Sequence, residues 1–192
     1  SAAEVLTVAV VAVRYFQNHH ERALCLLRAL GYVRRLSVSR FNRRLHALRD
    51  WLYGVVALLG EVFARGEVFL IDSMPLPVCR RAWAWRCRKV RGKVFCGYCA
   101  AKGEKFFGWR LHLICTAEGI PVSFDLLPAS AHDLIPLHKL AFALPEGASL
   151  FGDKGYLSHA DALTLLQETG VRLGMPKRSN MAPNSWADDY DL

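Results

Sequence analysis

The sequence has no apolar stretch long enough to cross a bilayer. The run from Val5 to Val13 ends at Arg14, and the second, Trp51 to Ala64, is short and contains Glu61, whereas a spanning helix needs about 20 apolar residues. Internal repeats and low-complexity tracts are missing as well. With 53% hydrophobic and 11% aromatic residues in 192, disordered and fibrous classes are excluded. Six cysteines in so long and apolar a chain do not make a secreted disulfide scaffold, and no signal-peptide pattern opens it. The expectation is a soluble protein of the cytoplasm, associated with the nucleoid, with reduced thiols.

Acidic residues are the other shortage. Against 25 Lys and Arg stand 17 Asp and Glu, a net charge of +8. The excess is concentrated. Residues 1–65 carry ten Arg and four acids, and residues 80–110 carry ten Lys and Arg and the single acid Glu104. The remainder is net acidic. Two basic blocks framing an acidic remainder point to nucleic acid as partner.

Periodicity divides the chain at about residue 65. Residues 1–65 read as four helices: Glu4–Phe16, Ala23–Leu30, a third capped by Ser37 or Ser39, and Trp51–Ala64. The third puts Phe41, Leu45 and Leu48 on one face and Arg40, Arg43 and Arg44 on another, an arrangement suited to phosphate contact. From residue 66 to 192 the spacing predicts a mixed α/β unit. Strand Val68–Ile71 ends on Asp72, with Ser73, Pro75 and Pro77 as turn formers. Residues 80–105 are an irregular basic insert. Strands Phe107–Thr116 and Gly119–Leu127 make a hairpin, a helix covers His132–Leu144, strand Leu150–Gly152 delivers Asp153, and helix Ser158–Thr169 precedes strand Val171–Met175.

Asp72 and Asp153 each follow an apolar strand and precede turn residues. Neighbouring carboxylates at strand ends repel one another unless a cation lies between them. Few hard oxygen donors with room for water and phosphate suit Mg²⁺ or Mn²⁺. Metal ions so held would bind the attacking and leaving oxygens of a phosphodiester displacement. The plain alternative is that Asp72 closes a turn and Asp153 caps a helix. In the insert, Arg86, Lys89, Arg91, Lys102, Lys105 and Arg110 alternate with Trp83, Trp85, Phe95, Tyr98, Phe106 and Trp109. Cations interleaved with flat rings suit phosphate contact and base stacking, although Phe106 and Trp109 fit packing onto the sheet better.

Several motifs occur in one order: Ile71-Asp-Ser-Met-Pro-Leu-Pro-Val-Cys79, Cys87-Arg-Lys, Tyr98-Cys-Ala-Ala-Lys102, Phe106-Phe-Gly-Trp-Arg-Leu-His112, Ser-Ala-His-Asp133 and Phe151-Gly-Asp-Lys-Gly-Tyr156. Upstream stand Glu4-Val-Leu-Thr, His20-Glu-Arg-Ala and Ser39-Arg-Phe-Asn-Arg-Arg-Leu-His46. In these the chain resembles, over essentially its whole length, the DDE transposases of the insertion-sequence-982 group. The resemblance implies an all-helical N-terminal region and then a ribonuclease H-like mixed β-sheet core with flanking helices. It implies Asp72 and Asp153 as catalytic aspartates binding Mg²⁺ or Mn²⁺, which activate water and then a DNA 3′-hydroxyl for cleavage and strand transfer. Lys154 is then a phosphate contact, and His132 and Asp133 are supporting groups behind the metal ligands. The implied partners are terminal inverted repeats and target DNA, with a homodimer on DNA.

The resemblance also calls for a third acid, a glutamate on a helix after the last core strand. Glu168 precedes that strand, and Asp188, Asp189 and Asp191 lack the Arg-x-x-x-Glu setting. The expectation is that this glutamate lies beyond Leu192 and that the chain is C-terminally truncated, hence a poor catalyst. The alternatives are an inactive remnant that retains DNA binding, or a nuclease of the same fold. Cys96-Gly-Tyr-Cys99 is half of a zinc site, with Cys79, Cys87, His112 or Cys115 as conceivable completions. Its spacing fits no standard knuckle, and buried or idle thiols are the expectation.

Overall fold

A computed structural model describes residues 1–63, 65–156 and 158–175. The chain divides into two compact units, Ser1–Val55 and Val56–Leu192. Among the described residues no helix is long and apolar enough to cross a membrane.

The first unit is helical. Helix α1 (Ala2–Phe16) opens with a capping box in which the Ser1 hydroxyl accepts the Glu4 N–H and the Glu4 carboxylate reaches back to Ser1. Two of the four orphan N–H groups of a helix start are thereby satisfied. Helix α2 (His20–Ala29) follows a tight break in which Gln17 and Asn18 both have positive φ. Helix α3 (Val38–Ala47) is capped by Ser37, the nearer of the two candidate serines. Val5, Val8 and Ala12 of α1, Ala23, Leu24 and Leu27 of α2, and Phe41 of α3 share one buried core. Arg40, Arg43 and Arg44 are all exposed, as the helical period requires once Phe41 points inward. Helix α4 (Arg49–Phe63) contains the dividing line between the units.

The second unit is built on a six-stranded mixed sheet: β1 (Val68–Arg80), β2 (Cys96–Cys99), β3 (Glu104–Thr116), β4 (Pro121–Pro128), β5 (Ser149–Phe151) and β6 (Arg172–Gly174). Strand β3 lies antiparallel to β1 and, on its other edge, to both β2 and β4. Beyond β1 the sheet continues in parallel through β5 and β6. Helices α5 (Leu137–Ala141) and α6 (His159–Thr169) contribute Leu137, Leu140, Ala162 and Leu165 to the core. The sheet contributes Phe69, Ile71, Ile114, Leu150 and Leu173. Alternation decides the face: Phe69 and Ile71 are buried, and Val68, Leu70 and Asp72, which alternate with them, are exposed.

Three expectations are corrected. Strand β1 does not stop at Ile71; it runs nine residues further along β3, through both prolines. Pro75 and Pro77 have the same parity, so both missing N–H groups face the side of β1 where β5, paired only with Val68–Leu70, no longer offers acceptors. The insert is not wholly irregular, because Cys96–Cys99 pairs with β3 as β2. The helix expected over His132–Leu144 is reduced to Leu137–Ala141, because Pro136 stands as its N-cap and the residues before it form turns.

Candidate active site

Asp72 is not at a strand end, but it is at the end of a pairing. Parallel contact between β1 and β5 closes with Leu70 opposite Phe151. Asp72 and Asp153 each lie two residues further on, so the register that pairs the strands aligns the two aspartates. Both are exposed. The Asp72 carboxylate accepts the Ser73 N–H at 2.7 Å, and Asp153 Oδ1 accepts the Gly155 N–H at 2.9 Å. Neither makes an ion pair among the described residues.

Asp133 joins them from the turn between β4 and α5. A Cβ placed on Gly155 would stand 2.9 Å from Asp153 Oδ1 and 3.0 Å from Asp133 Oδ2. The bare Gly155 backbone is thus a cradle against which both carboxylates rest. Asp133 Oδ1 accepts a hydrogen bond from Arg110 Nη1 at 3.0 Å, both side chains being 20% exposed. Arg110 Nη2 donates to the Tyr98 carbonyl at 3.2 Å. The guanidinium therefore ties β2, β3 and the Asp133 turn together.

Beneath the carboxylates lies a buried polar pair. His112 and Tyr156 are fully buried, with His112 Nδ1 and the Tyr156 hydroxyl hydrogen-bonded at 3.3 Å. His112 Nδ1 is 3.9 Å from Asp133 Oδ1, and its Nε2 has no partner among the described residues. Burial, and then the charges of Asp133, Asp72 and Asp153, push the Tyr156 phenol well above its ordinary range. The field of all three aspartates converges on this hydroxyl. Burial also holds the His112 imidazole below its usual value, against the opposing pull of Asp133, and Arg110 adds to the lowering.

His112 and Tyr156 were not singled out as a pair by sequence reasoning. The signal was available for His112. It has the parity of Phe106 and Ile114 on β3, so the strand turns a polar ring into the core. Tyr156 sits in a short 3₁₀ turn, Lys154–Tyr156, where no periodicity announces burial.

The other candidates are spread around this centre. His132 is exposed, and its Nδ1 accepts the Leu134 N–H at 3.3 Å, which caps the turn. Lys154 is exposed beside Asp153. An open cleft of about 390 Å³ runs from Arg110, His132 and Asp133 to Arg81, Tyr98 and Lys105. Arg86, Lys89, Arg91 and Lys102 are exposed on the insert, and none makes an ion pair among the described residues. The Arg86 guanidinium lies 4.3 Å from the Trp85 ring centroid and 5.9 Å from that of Trp83. The rings are 77% and 57% exposed. Phe106 is buried and Trp109 packs edge-on against Phe95, as expected of rings that serve the sheet. Arg40, Arg43 and Arg44 belong to the first unit. Asp188, Asp189 and Asp191 lie outside the described residues.

No three His, Cys, Asp or Glu among the described residues converge as a ready metal cage. The register aligns Asp72 with Asp153, and Asp133 shares the Gly155 backbone with Asp153; these donors are few and hard. Such a set fits a cation that keeps most of its ligands as water or phosphate. It does not fit zinc held by Cys96 and Cys99, which stand three apart on β2 and so face opposite sides.

The mixed sheet thus aligns two exposed aspartates in a unit that also carries a cation-rich insert. The family model described as the transposase DDE domain matches residues 64–189, and the chain belongs to that family. A solved structure titled "Mos1 transposase paired-end complex with left transposon end" is similar at 13% identity and a TM-score of 0.32 over 90% of this chain. The chain spans 57% of the length of that protein. No curated protein matches.

Proposed function

We propose that this protein is a transposase that cuts DNA at the ends of an insertion sequence and joins them to a target, in the manner of the insertion-sequence-982 group. One observation carries the reading. Within a transposase DDE domain, the strand register aligns Asp72 with Asp153 at the point where β1 and β5 part. The strand order β4-β3-β1-β5-β6, antiparallel through β1 and parallel beyond it, supports a ribonuclease H-like core.

Asp72 and Asp153 would hold Mg²⁺ or Mn²⁺, which supplies charge neutralisation at the phosphodiester and lowers the pKa of an attacking hydroxyl. The chain's own groups supply position. Gly155 leaves room for the Asp153 and Asp133 oxygens, and its N–H fixes Asp153 Oδ1. Arg110 neutralises Asp133, so that Asp153 is not faced by a second free charge. Arg86, Lys89, Arg91, Lys102 and Lys105 would contact phosphates of terminal repeats or target, with Arg40, Arg43 and Arg44 and the exposed Lys154 as further contacts. A homodimer would bring two ends together.

The test is Mn²⁺ binding by calorimetry together with nicking of repeat-bearing DNA. Wild-type protein is expected to bind Mn²⁺, and Asp72→Asn and Asp153→Asn are expected to lose both binding and nicking. Equal Mn²⁺ binding by the wild type and both variants would overturn the assignment.

A further inference from the structure

The 3₁₀ turn Arg81–Arg86 buries none of its side chains, yet it carries two tryptophans. Trp85, 77% exposed, is the most open large apolar side chain among the described residues, and Trp83 is exposed as well. Rings left in water contribute nothing to the core, and two gathered in one place mark a binding surface. The turn is nevertheless held in shape. The Cys87 N–H donates to the Ala84 carbonyl at 3.1 Å. The Arg86 guanidinium lies within cation–π reach of both rings, at 4.3 Å from the Trp85 centroid and 5.9 Å from that of Trp83. Such contact orients the rings before anything binds.

Trp85 and Arg86 line an open cleft of about 640 Å³ together with Cys87, Arg88, Arg91 and Gly92. Small-molecule sites span about 300–1,000 Å³, so the cleft has the size of one. None of its three arginines makes an ion pair among the described residues. The sequence offers no acid between Asp72 and Glu104 to neutralise them. Planar guanidinium forks match phosphate oxygens. Gly92, at φ 110°, leaves its stretch of the wall bare, since a Cβ there would meet only Val94 Cγ2 at 3.9 Å.

Phosphate alone would need only the arginines. The open ring of Trp85 calls for a flat partner, and within a duplex both faces of a base are covered by its neighbours. An unpaired nucleotide offers a free face and a phosphate together. We propose that this cleft takes an unpaired nucleotide of a DNA strand, its base stacked on Trp85 and its phosphates on Arg88 and Arg91. That the nucleotide belongs to a DNA strand rests on the function proposed above; recognition of a base beside a phosphate rests on the cleft.

The test uses the full chain in EDTA and two fluorescein-labelled strands of equal charge, one a thymidylate of about ten nucleotides and the other abasic throughout. Fluorescence anisotropy is expected to show the thymidylate bound about tenfold tighter, the scale of one base stacked on an aromatic ring. Trp85→Ala should abolish that preference at unchanged Tm, and Trp85→Tyr should retain most of it. Alkylation of Cys87, mapped by mass spectrometry, should slow when the thymidylate is bound. Equal affinity of the wild type for the two strands, a preference that survives in Trp85→Ala, or unslowed Cys87 alkylation would overturn the proposal. So would displacement of the strand by equimolar thymidine monophosphate, which would assign the cleft to free nucleotides. No metal is present in these measurements, so their failure leaves the Mn²⁺ binding and nicking that test the transposase reading untouched.

Discussion

Asp72 and Asp153 share a register across two parallel strands and reach it just where those strands separate. Up to Leu70 and Phe151 the backbones hold each other, and two residues later each chain presents a carboxylate instead. Like charges so aligned repel and favour a divalent counter-ion. Mg²⁺ is therefore expected to raise the Tm of the wild type, because a ligand that binds only the folded state stabilises it. That increment should vanish in Asp72→Asn, while the Tm in EDTA stays level or rises. DNA nicking should fall by about a hundredfold or more, the scale on which loss of one transition-state contact is felt. Thermal unfolding with and without Mg²⁺ checks the first part, and an undiminished Mg²⁺ increment in the variant would refute it.

Gly155 carries a second expectation. Its φ is not positive, so a substitution is not penalised through the backbone. An added Cβ would instead press on Asp153 Oδ1 at 2.9 Å and Asp133 Oδ2 at 3.0 Å. Gly155→Ala should cost about 1–3 kcal/mol, as overpacking does, and should weaken Mn²⁺ binding. Gly54→Ala is the control, since a Cβ there meets nothing within 4 Å and a mid-helix Gly→Ala change gains about 0.5–1 kcal/mol. Unaltered Mn²⁺ affinity in Gly155→Ala would count against the cradle.

The Arg110–Asp133 pair is half-buried at 3.0 Å, and removing either partner leaves a charge beside the aspartates. Each single change to Ala is expected to destabilise by about 1–3 kcal/mol, the cost of leaving a charged hydrogen-bonding group unmet. The double variant should cost less than the sum, and urea unfolding of the four proteins measures that coupling. Strict additivity would mean that the contact contributes nothing.

Arg110 also separates two kinds of cation. Because it is engaged by Asp133 and the Tyr98 carbonyl, its replacement should alter stability more than the salt dependence of DNA binding. Arg86, Lys89, Arg91, Lys102 and Lys105 are exposed. Each that contacts a phosphate should lower the slope of log affinity against log salt by about 0.9 when neutralised. Fluorescence anisotropy with a duplex over a salt series makes the comparison. A slope unchanged by any of the five would remove the insert from the DNA interface.

The sequence exposed what has a period or an abrupt change of composition. The four helices between Ala2 and Phe63 follow apolar spacing, and the Asp72 and Asp153 positions follow the ends of apolar runs. Cys96–Cys99 was hidden because a four-residue strand among lysines and arginines has no period to show; its pairing with β3 makes it a strand. Pro75 and Pro77 argued for a turn, and only the absence of β5 on that side of β1 explains why they stay in line. The Arg110–Asp133 contact joins residues 23 apart across a hairpin, a distance over which local pattern carries no information.

His112 gives the pH dependence its sign. Burial holds the folded imidazole below its ordinary value of 6.5, so the unfolded chain accepts a proton that the folded one refuses. Stability should fall as pH drops through about 6.5, by up to about 1.4 kcal/mol per pH unit for one proton. Asp161 works in another window. Its carboxyl is lowered by the Ser158 hydroxyl and then by His138, so its contribution is intact above pH 3.8 and disappears only below that. Between pH 7 and 5.5 the slope is therefore a signature of buried imidazole, and His112→Gln should flatten it. Urea unfolding across that range is the measurement. An equal slope in the variant would mean that His112 takes its proton in the folded state as readily as in the unfolded.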